Sequence, residues 1–214
     1  MITAIGDVMR ELHARNWITT RDGNASLRRK GEGMIYITPS GWRKTIIHPE
    51  HMVKIPVVSG ELAVPDGAVP SGELHMHWLL LEKSKRTRAV VHAHPTYTVA
   101  AMYRGFDLPT LCEQFPEIHR YTRVGTSVGL IPAISEELGE ATAEALGLQP
   151  SGRLEYDIVG QAQHGVCAVG DNPWDAFEHI ERLEHICKIA LASGVSPDTV
   201  LDERSALGAG GSDG

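Results

Sequence analysis

The chain has 214 residues, 42% hydrophobic and 22% charged, and such ordinary values exclude a disordered, collagen-like or coiled-coil protein. With 20 basic and 27 acidic side chains the net charge is −7, which argues against nucleic acid or an anionic membrane as the main partner. No run approaches the ~20 apolar residues that span a bilayer, and Met1 to Asp7 lacks the basic and apolar regions of a secretory signal, so a cytoplasmic protein is expected.

Met1 to Trp17 has helical spacing, with Ile5, Val8, Met9 and Leu12 on one stripe. After a turn at Arg21 to Asn24, two strands are predicted at Ala25–Arg29 and Met34–Thr38, joined through Lys30 to Gly33. Pro39-Ser40-Gly41 is a turn. Val53–Val58 and Glu61–Val64 read as a hairpin, and Pro65–Gly72 as a loop ahead of a helix over Glu73–Lys85. Ala89–His92 is a short apolar strand, and the helix after it opens at Pro95, a residue suited to a first helical position. Tyr121–Ile131 reads as extended and Ser135–Leu146 as helical. Asp157–Gly160 and Val166–Val169 are strands, and Pro173–Ser193 is the longest helix, capped through Asp171-Asn172-Pro173. Residues 201–214 are a low-complexity tail, expected to be flexible. Short strands with irregularly spaced helices predict one α/β domain over residues 1–200, a mixed or antiparallel sheet covered by helices.

Three cysteines, Cys112, Cys167 and Cys187, stand at no metal-ligand spacing and read as reduced, buried thiols. Histidine is the outlier: 11 of them point to metal or proton chemistry. In Val90-Val91-His92-Ala93-His94-Pro95, side chains two apart on an extended segment face one way, so His92 and His94 can grip one ion. A third ligand is needed, with His164 or an acidic side chain as candidate; the alternative is a hydrogen-bonded surface pair. Asp22 to Ser26, Thr38 to Gly41 and Pro70 to Glu73 are turns rich in hydroxyls and amides, and such turns bind phosphate without net positive charge. Taken singly, each is also an ordinary β-turn.

Gly23-Asn24-Ala25-Ser26, Ile37-Thr38-Pro39-Ser40-Gly41, Pro70-Ser71-Gly72-Glu73, Val91-His92-Ala93-His94 and His164-Gly165-Val166 come in the order and spacing of the class II aldolase/adducin family. The resemblance runs from about residue 3 to 193, and Glu178–Ala190 resembles the family's last core helix. The founding enzymes are zinc-dependent fuculose-1-phosphate and rhamnulose-1-phosphate aldolases. The resemblance implies a three-layer α/β/α fold on a largely antiparallel sheet, assembled as a homotetramer with active sites between subunits. It implies one divalent metal ion per subunit, Zn²⁺ with Mn²⁺ or Co²⁺ as alternatives, on His92, His94 and His164. Glu73 would be a fourth ligand at rest and the catalytic acid/base. Gly23, Asn24, Ser40, Gly41, Ser71 and Gly72 would line a pocket for the phosphate of a small sugar substrate. The expected reaction is retro-aldol cleavage of a ketose 1-phosphate to dihydroxyacetone phosphate and an aldehyde.

Two departures bear on the substrate. The family's phosphate loop commonly reads Ser-Ser-Glu; here it is Ser71-Gly72-Glu73, one hydroxyl poorer. Arg43 and Lys44 can compensate if they turn inward, although solvated basic side chains are the ordinary outcome. The neighbouring-subunit tyrosine of the aldolases falls near Glu113, which resembles the methylthioribulose-1-phosphate dehydratase branch; Tyr121 is the nearest tyrosine. Glu113 is therefore a candidate second catalytic residue, and dehydratase, decarboxylase and epimerase chemistry are alternatives. A non-catalytic module like the adducin heads is disfavoured by retention of Glu73, His92, His94 and His164 together. His75 and His77 lie about 200° apart on their helix, cannot share an ion, and are expected at the surface or an interface, like His179 and His185. Trp17, Trp42, Trp78 and Trp174 are expected in the core or at subunit contacts.

Overall fold

The computed structural model describes residues 1–58 and 60–199, so the expected tail at 201–214 lies outside the described residues. The strands are β1 (Asn24–Arg28), β2 (Met34–Ile37), β3 (Val53–Val58), β4 (Glu61–Leu62), β5 (Ala89–Ala93), β6 (Val124–Val128), β7 (Ile158–Gln161) and β8 (Gly165–Gly170). The helices are α1 (Ile2–Ala14), α2 (Leu74–Lys83), α3 (Thr96–Tyr103), α4 (Leu108–Glu113), α5 (Glu136–Ala145) and α6 (Pro173–Ser193). One sheet runs in the order β4-β3-β2-β1-β5-β8-β7-β6. Every neighbouring pair is antiparallel except β6 and β7, which are parallel.

Side chains alternate across the sheet, and each face has its own core. Ala89, Val91 and Ala93 of β5, with Val166 and Ala168 of β8, pack under α1 and α6 beside Leu12, Phe177 and Ile180. Val90, Cys167 and Val169 enter the opposite layer, with Leu74, Trp78 and Leu81 of α2 and Ala143 of α5. This is the three-layer α/β/α arrangement on a largely antiparallel sheet. Because β5 and β8 are covered on both faces, their sequences run apolar without alternation until His92 interrupts.

Helix ends follow local chemistry. The Asn172 side chain accepts from the Trp174 and Asp175 amides and opens α6, which closes on Gly194 in the left-handed region at φ 75°. Ser135 caps α5 by accepting from the Leu138 amide. Helix α4 was not expected from the sequence; Asp107 accepts from the Thr110 amide and Pro109 stands in its first turn. The stretch expected to be extended over Tyr121–Ile131 is a strand only at β6, since a 3-10 turn at Ile118–Arg120 precedes it. Pro95 is extended and caps α3 rather than occupying its first turn.

Candidate metal centre and anion pocket

By the same alternation, His92 shares the α2-facing side of β5 with Val90, and Asn24 stands directly opposite it across the β1–β5 ladder. Gly23 makes that approach possible. Its φ is +67°, and a Cβ there would lie 2.5 Å from Ile18 Cγ2 and 3.2 Å from the His92 carbonyl oxygen. On the other side of β5, a Cβ on Gly165 would collide with the Ala93 carbonyl, so His164 is carried to the end of β5 by a glycine.

These constraints bring His92, His94 and His164 together, with one ring nitrogen of each within 4.8 Å of the others. His92 Nε2 and His94 Nε2 are 2.8 Å apart. The His92 Nδ1–H donates to the Val166 carbonyl at 3.0 Å, which leaves the Nε2 lone pair facing His94 and Glu73. Asp22 Oδ2 stands 3.6 Å behind His94 Nδ1. Glu73, which caps α2 and is 8% exposed, places Oε2 at 3.4 Å from His92 Nε2 and Oε1 at 3.7 Å from His164 Nε2.

Burial pushes the pKa of His92, His94 and His164 below the ordinary histidine value, His94 to about 4. Burial alone would raise the Glu73 carboxyl; His92, the Asn24 hydrogen bond and His164 outweigh it, and its pKa lies below the usual carboxylate value. Imidazole nitrogens beside a carboxylate are a donor set for a borderline divalent cation. Among the described residues, Glu73 Oε1 and His164 Nδ1 are buried without a hydrogen-bond partner, as unsaturated ligand groups would be. The residues present fit a metal ion.

The second part of the site is a pair of loops zipped together. Ser40 N–H donates to the Val69 carbonyl and Ser71 N–H to the Thr38 carbonyl, both at 3.0 Å, around a bridge between Pro39 and Pro70. Ser40-Gly41 and Ser71-Gly72 thus face one cavity of about 210 Å³, whose floor is Glu73 and the three histidines. The Gly41 and Gly72 amides make no backbone hydrogen bond among the described residues. Where the family's second serine would stand, a Cβ on Gly72 would lie 3.0 Å from Ile134 Cγ2. Ile134 is exposed and holds φ at 65°, an uncommon conformation for a β-branched residue.

Two residues, His77 and Lys44, sit elsewhere than the sequence reading placed them. His77 is not at the surface but fully buried, with Nε2 donating to Asn24 Oδ1 at 2.5 Å and Nδ1 accepting from Ser26 Oγ at 2.6 Å. Burial lowers its pKa to about 3. The signal was present: Glu73 and His77 are four apart and share one face of α2. Lys44 turns inward, 2% exposed, while Arg43 stays in solvent. Its Nζ donates to the Pro39 carbonyl at 3.3 Å, and it lines the same cavity as Ser40 and Ser71. Glu113 is not brought to the metal cluster within the chain. It is exposed at the end of α4 and lines a separate cavity with Pro109, Ile118 and Thr122. Asn24, read as a phosphate residue, uses its carbonyl on His77 and one amide hydrogen on Glu73, leaving its second amide hydrogen for the cavity. Trp17 and Trp78 are core residues, while Trp42 and Trp174 are partly exposed.

The sequence profile of the Class II Aldolase and Adducin N-terminal domain matches residues 3–191, and the chain belongs to this family. It is 31% identical over 160 residues to rhamnulose-1-phosphate aldolase of Bacteroides thetaiotaomicron, a match that covers 69% of this chain and 56% of that protein. The chain thus spans little more than half the length of that relative. It is 27% identical over 205 residues to L-ribulose-5-phosphate 4-epimerase UlaF of Salmonella paratyphi C, covering 89% of this chain and 84% of the epimerase. The crystal structure of L-fuculose-1-phosphate aldolase from Thermus thermophilus superposes with a TM-score of 0.71 at 30% identity, covering 89% of this chain and 92% of that one. Relatives in this family thus bear the names of sugar-phosphate aldolases and epimerases. No helix among the described residues is long and apolar enough to cross a membrane.

Proposed function

We propose that the chain is a metal-dependent class II aldolase that cleaves a small ketose 1-phosphate to dihydroxyacetone phosphate and an aldehyde. The observation that carries this reading is the position of Glu73. Its ionised carboxylate lies between the imidazole cluster and two loops with free amides, in one cavity. His92, His94 and His164 would hold the ion, Zn²⁺ with Mn²⁺ or Co²⁺ as alternatives, and Glu73 would be its fourth ligand at rest. Such an ion supplies a Lewis acid toward the oxygens next to the reacting carbon.

The chain's own groups account for the rest. The Gly41 and Gly72 amides and the Ser40 and Ser71 hydroxyls grip the phosphate, together with the Gly23-Asn24 turn, and so set how far C3 of the sugar reaches into the cavity. In cleavage, one proton leaves the C4 hydroxyl as the C3–C4 bond breaks, and one arrives at C3. Glu73 exchanges the C3 proton, a role that typically contributes about 10²–10⁴-fold. Asn24 holds that carboxylate in place from below. We assign the group serving the C4 oxygen to Glu113 of a neighbouring copy in a homotetramer, which an exposed residue at the end of α4 can supply.

The test is release of dihydroxyacetone phosphate from fuculose, rhamnulose, ribulose and methylthioribulose 1-phosphates, with and without a chelator. Chelator-sensitive release from at least one is expected. No release from any, with metal bound, would replace this reading with dehydratase, decarboxylase or epimerase chemistry at the same site.

A further inference from the structure

We propose that Lys44 is the cation of the anion pocket and makes the site selective for a phosphate end over a carboxylate or neutral end. The proposal deepens, and rests on, the reading of this cavity as a sugar-phosphate site.

Lysine is rarely buried unless paired. Here the side chain is 2% exposed, and its three N–H donors have one protein partner among the described residues, the Pro39 carbonyl at 3.3 Å. No carboxylate oxygen lies within ion-pair distance of its Nζ among the described residues. The nearest acidic influence is Asp22, whose oxygens are already engaged by the Thr19 amide and hydroxyl and by His94. A buried ammonium with so few partners is costly in the free protein, and the cost is recovered when an anion arrives.

The fold forces the placement. After Gly41 the chain enters a 3-10 turn at Lys44–Ile46, and the Lys44 amide donates to the Thr20 carbonyl at 2.8 Å. That bond pins the backbone between the two turns, directing the four-carbon stem inward beneath Ser40. At Gly72 a Cβ would lie 3.0 Å from Ile134 Cγ2, and this position offers the cavity no hydroxyl. Lys44 offers it a full charge instead, and a charge favours a dianion over a monoanion or a hydroxyl.

The experiment measures binding of inorganic phosphate to the full chain by calorimetry, for wild type, Lys44→Met and Lys44→Arg, with acetate as a second probe. Methionine keeps the buried stem, and thermal unfolding without phosphate reports whether the variant folds. The proposal predicts that Lys44→Met folds at least as stably as wild type without phosphate, binds phosphate about 10- to 100-fold more weakly, and loses the phosphate-induced rise in Tm. Lys44→Arg should retain most of the affinity, and acetate should distinguish none of the three. Equal phosphate affinity in wild type and Lys44→Met, or no phosphate binding by wild type, would overturn it. Turnover is not needed for this readout. Lys44-dependent phosphate binding without cleavage of any ketose 1-phosphate would leave the assignment standing and remove the aldolase reading; cleavage with Lys44-independent phosphate binding would do the reverse.

Discussion

The Asn24 side-chain amide donates to the Glu73 carboxylate, Nδ2 to Oε2, across 2.7 Å in a buried site. What fixes the orientation of that amide is His77. Its Nε2–H occupies the Asn24 carbonyl oxygen, and its Nδ1 accepts from Ser26, so the amide can turn only its NH₂ toward Glu73. Ser26, His77, Asn24 and Glu73 form one relay beneath the histidine cluster.

Replacing His77 by leucine leaves Ser26 Oγ and Asn24 Oδ1 buried without partners, at about 1–3 kcal/mol each. Urea denaturation should register a loss of about 2–5 kcal/mol, and kcat should fall because the Asn24 amide is free to flip. His77→Gln can both donate to Asn24 and accept from Ser26, and should recover part of both. A leucine variant with unchanged stability and turnover would remove the relay.

Gly23→Ala forces a Cβ against Ile18 and a side chain into φ +67°. The strain alone is worth about 1–3 kcal/mol, and the contact adds to it. Chemical denaturation of the variant measures it directly, and an unchanged midpoint would mean that the turn adapts freely.

Acid should destabilise the fold through histidines outside the metal cluster. His77 titrates at the ordinary 6.5 in the unfolded chain and near 3 in the folded one, and burial also lowers His179. Below 6.5 the unfolded state therefore takes up protons that the folded state refuses. The stability they contribute is complete above that pH and declines as the pH falls through the window. At pH 5 His77 alone costs about 2 kcal/mol relative to pH 7. Urea midpoints at the two values check this, and a flat profile would contradict it.

Metal binding gives a fourth check. Purified protein dialysed against zinc should retain one ion per chain by mass spectrometry. Asparagine at His92, His94 or His164 should weaken binding by more than the roughly 10–100-fold that loss of an outer partner costs. His75→Asn should not, since His75 is not part of the cluster.

Where periodicity and caps speak together, the sequence reading and the structure coincide. Helix α6 begins and ends as expected because Asn172-Pro173 opens it, and β5 is legible from its apolar run. His92 and His94 were legible because two residues apart on a strand is a geometric statement, whereas His164 as the third member came from the family resemblance. Lys44 was not legible, since its burial depends on where a turn lands on the rest of the fold, and His77 was read as a surface residue although its spacing from Glu73 puts both on one helix face. Helix α4 was overlooked because it is only 6 residues long, too short for a hydrophobic period, although Asp107 and Pro109 mark its start. Glu113 illustrates a different limit. Its motif register suggested catalysis, but one protomer puts it in another cavity, and only an assembly can bring it to Glu73.

The most direct test of the account is whether Glu73 moves a proton at C3. Dihydroxyacetone phosphate incubated in D₂O with the metal-loaded protein should take up deuterium at that carbon without any aldehyde present, as followed by proton NMR. Glu73→Gln should slow the exchange by about 10²-fold or more while phosphate binding persists. Absence of exchange by the wild type, or exchange indifferent to Glu73→Gln, would contradict the role on which the whole reading of the site depends.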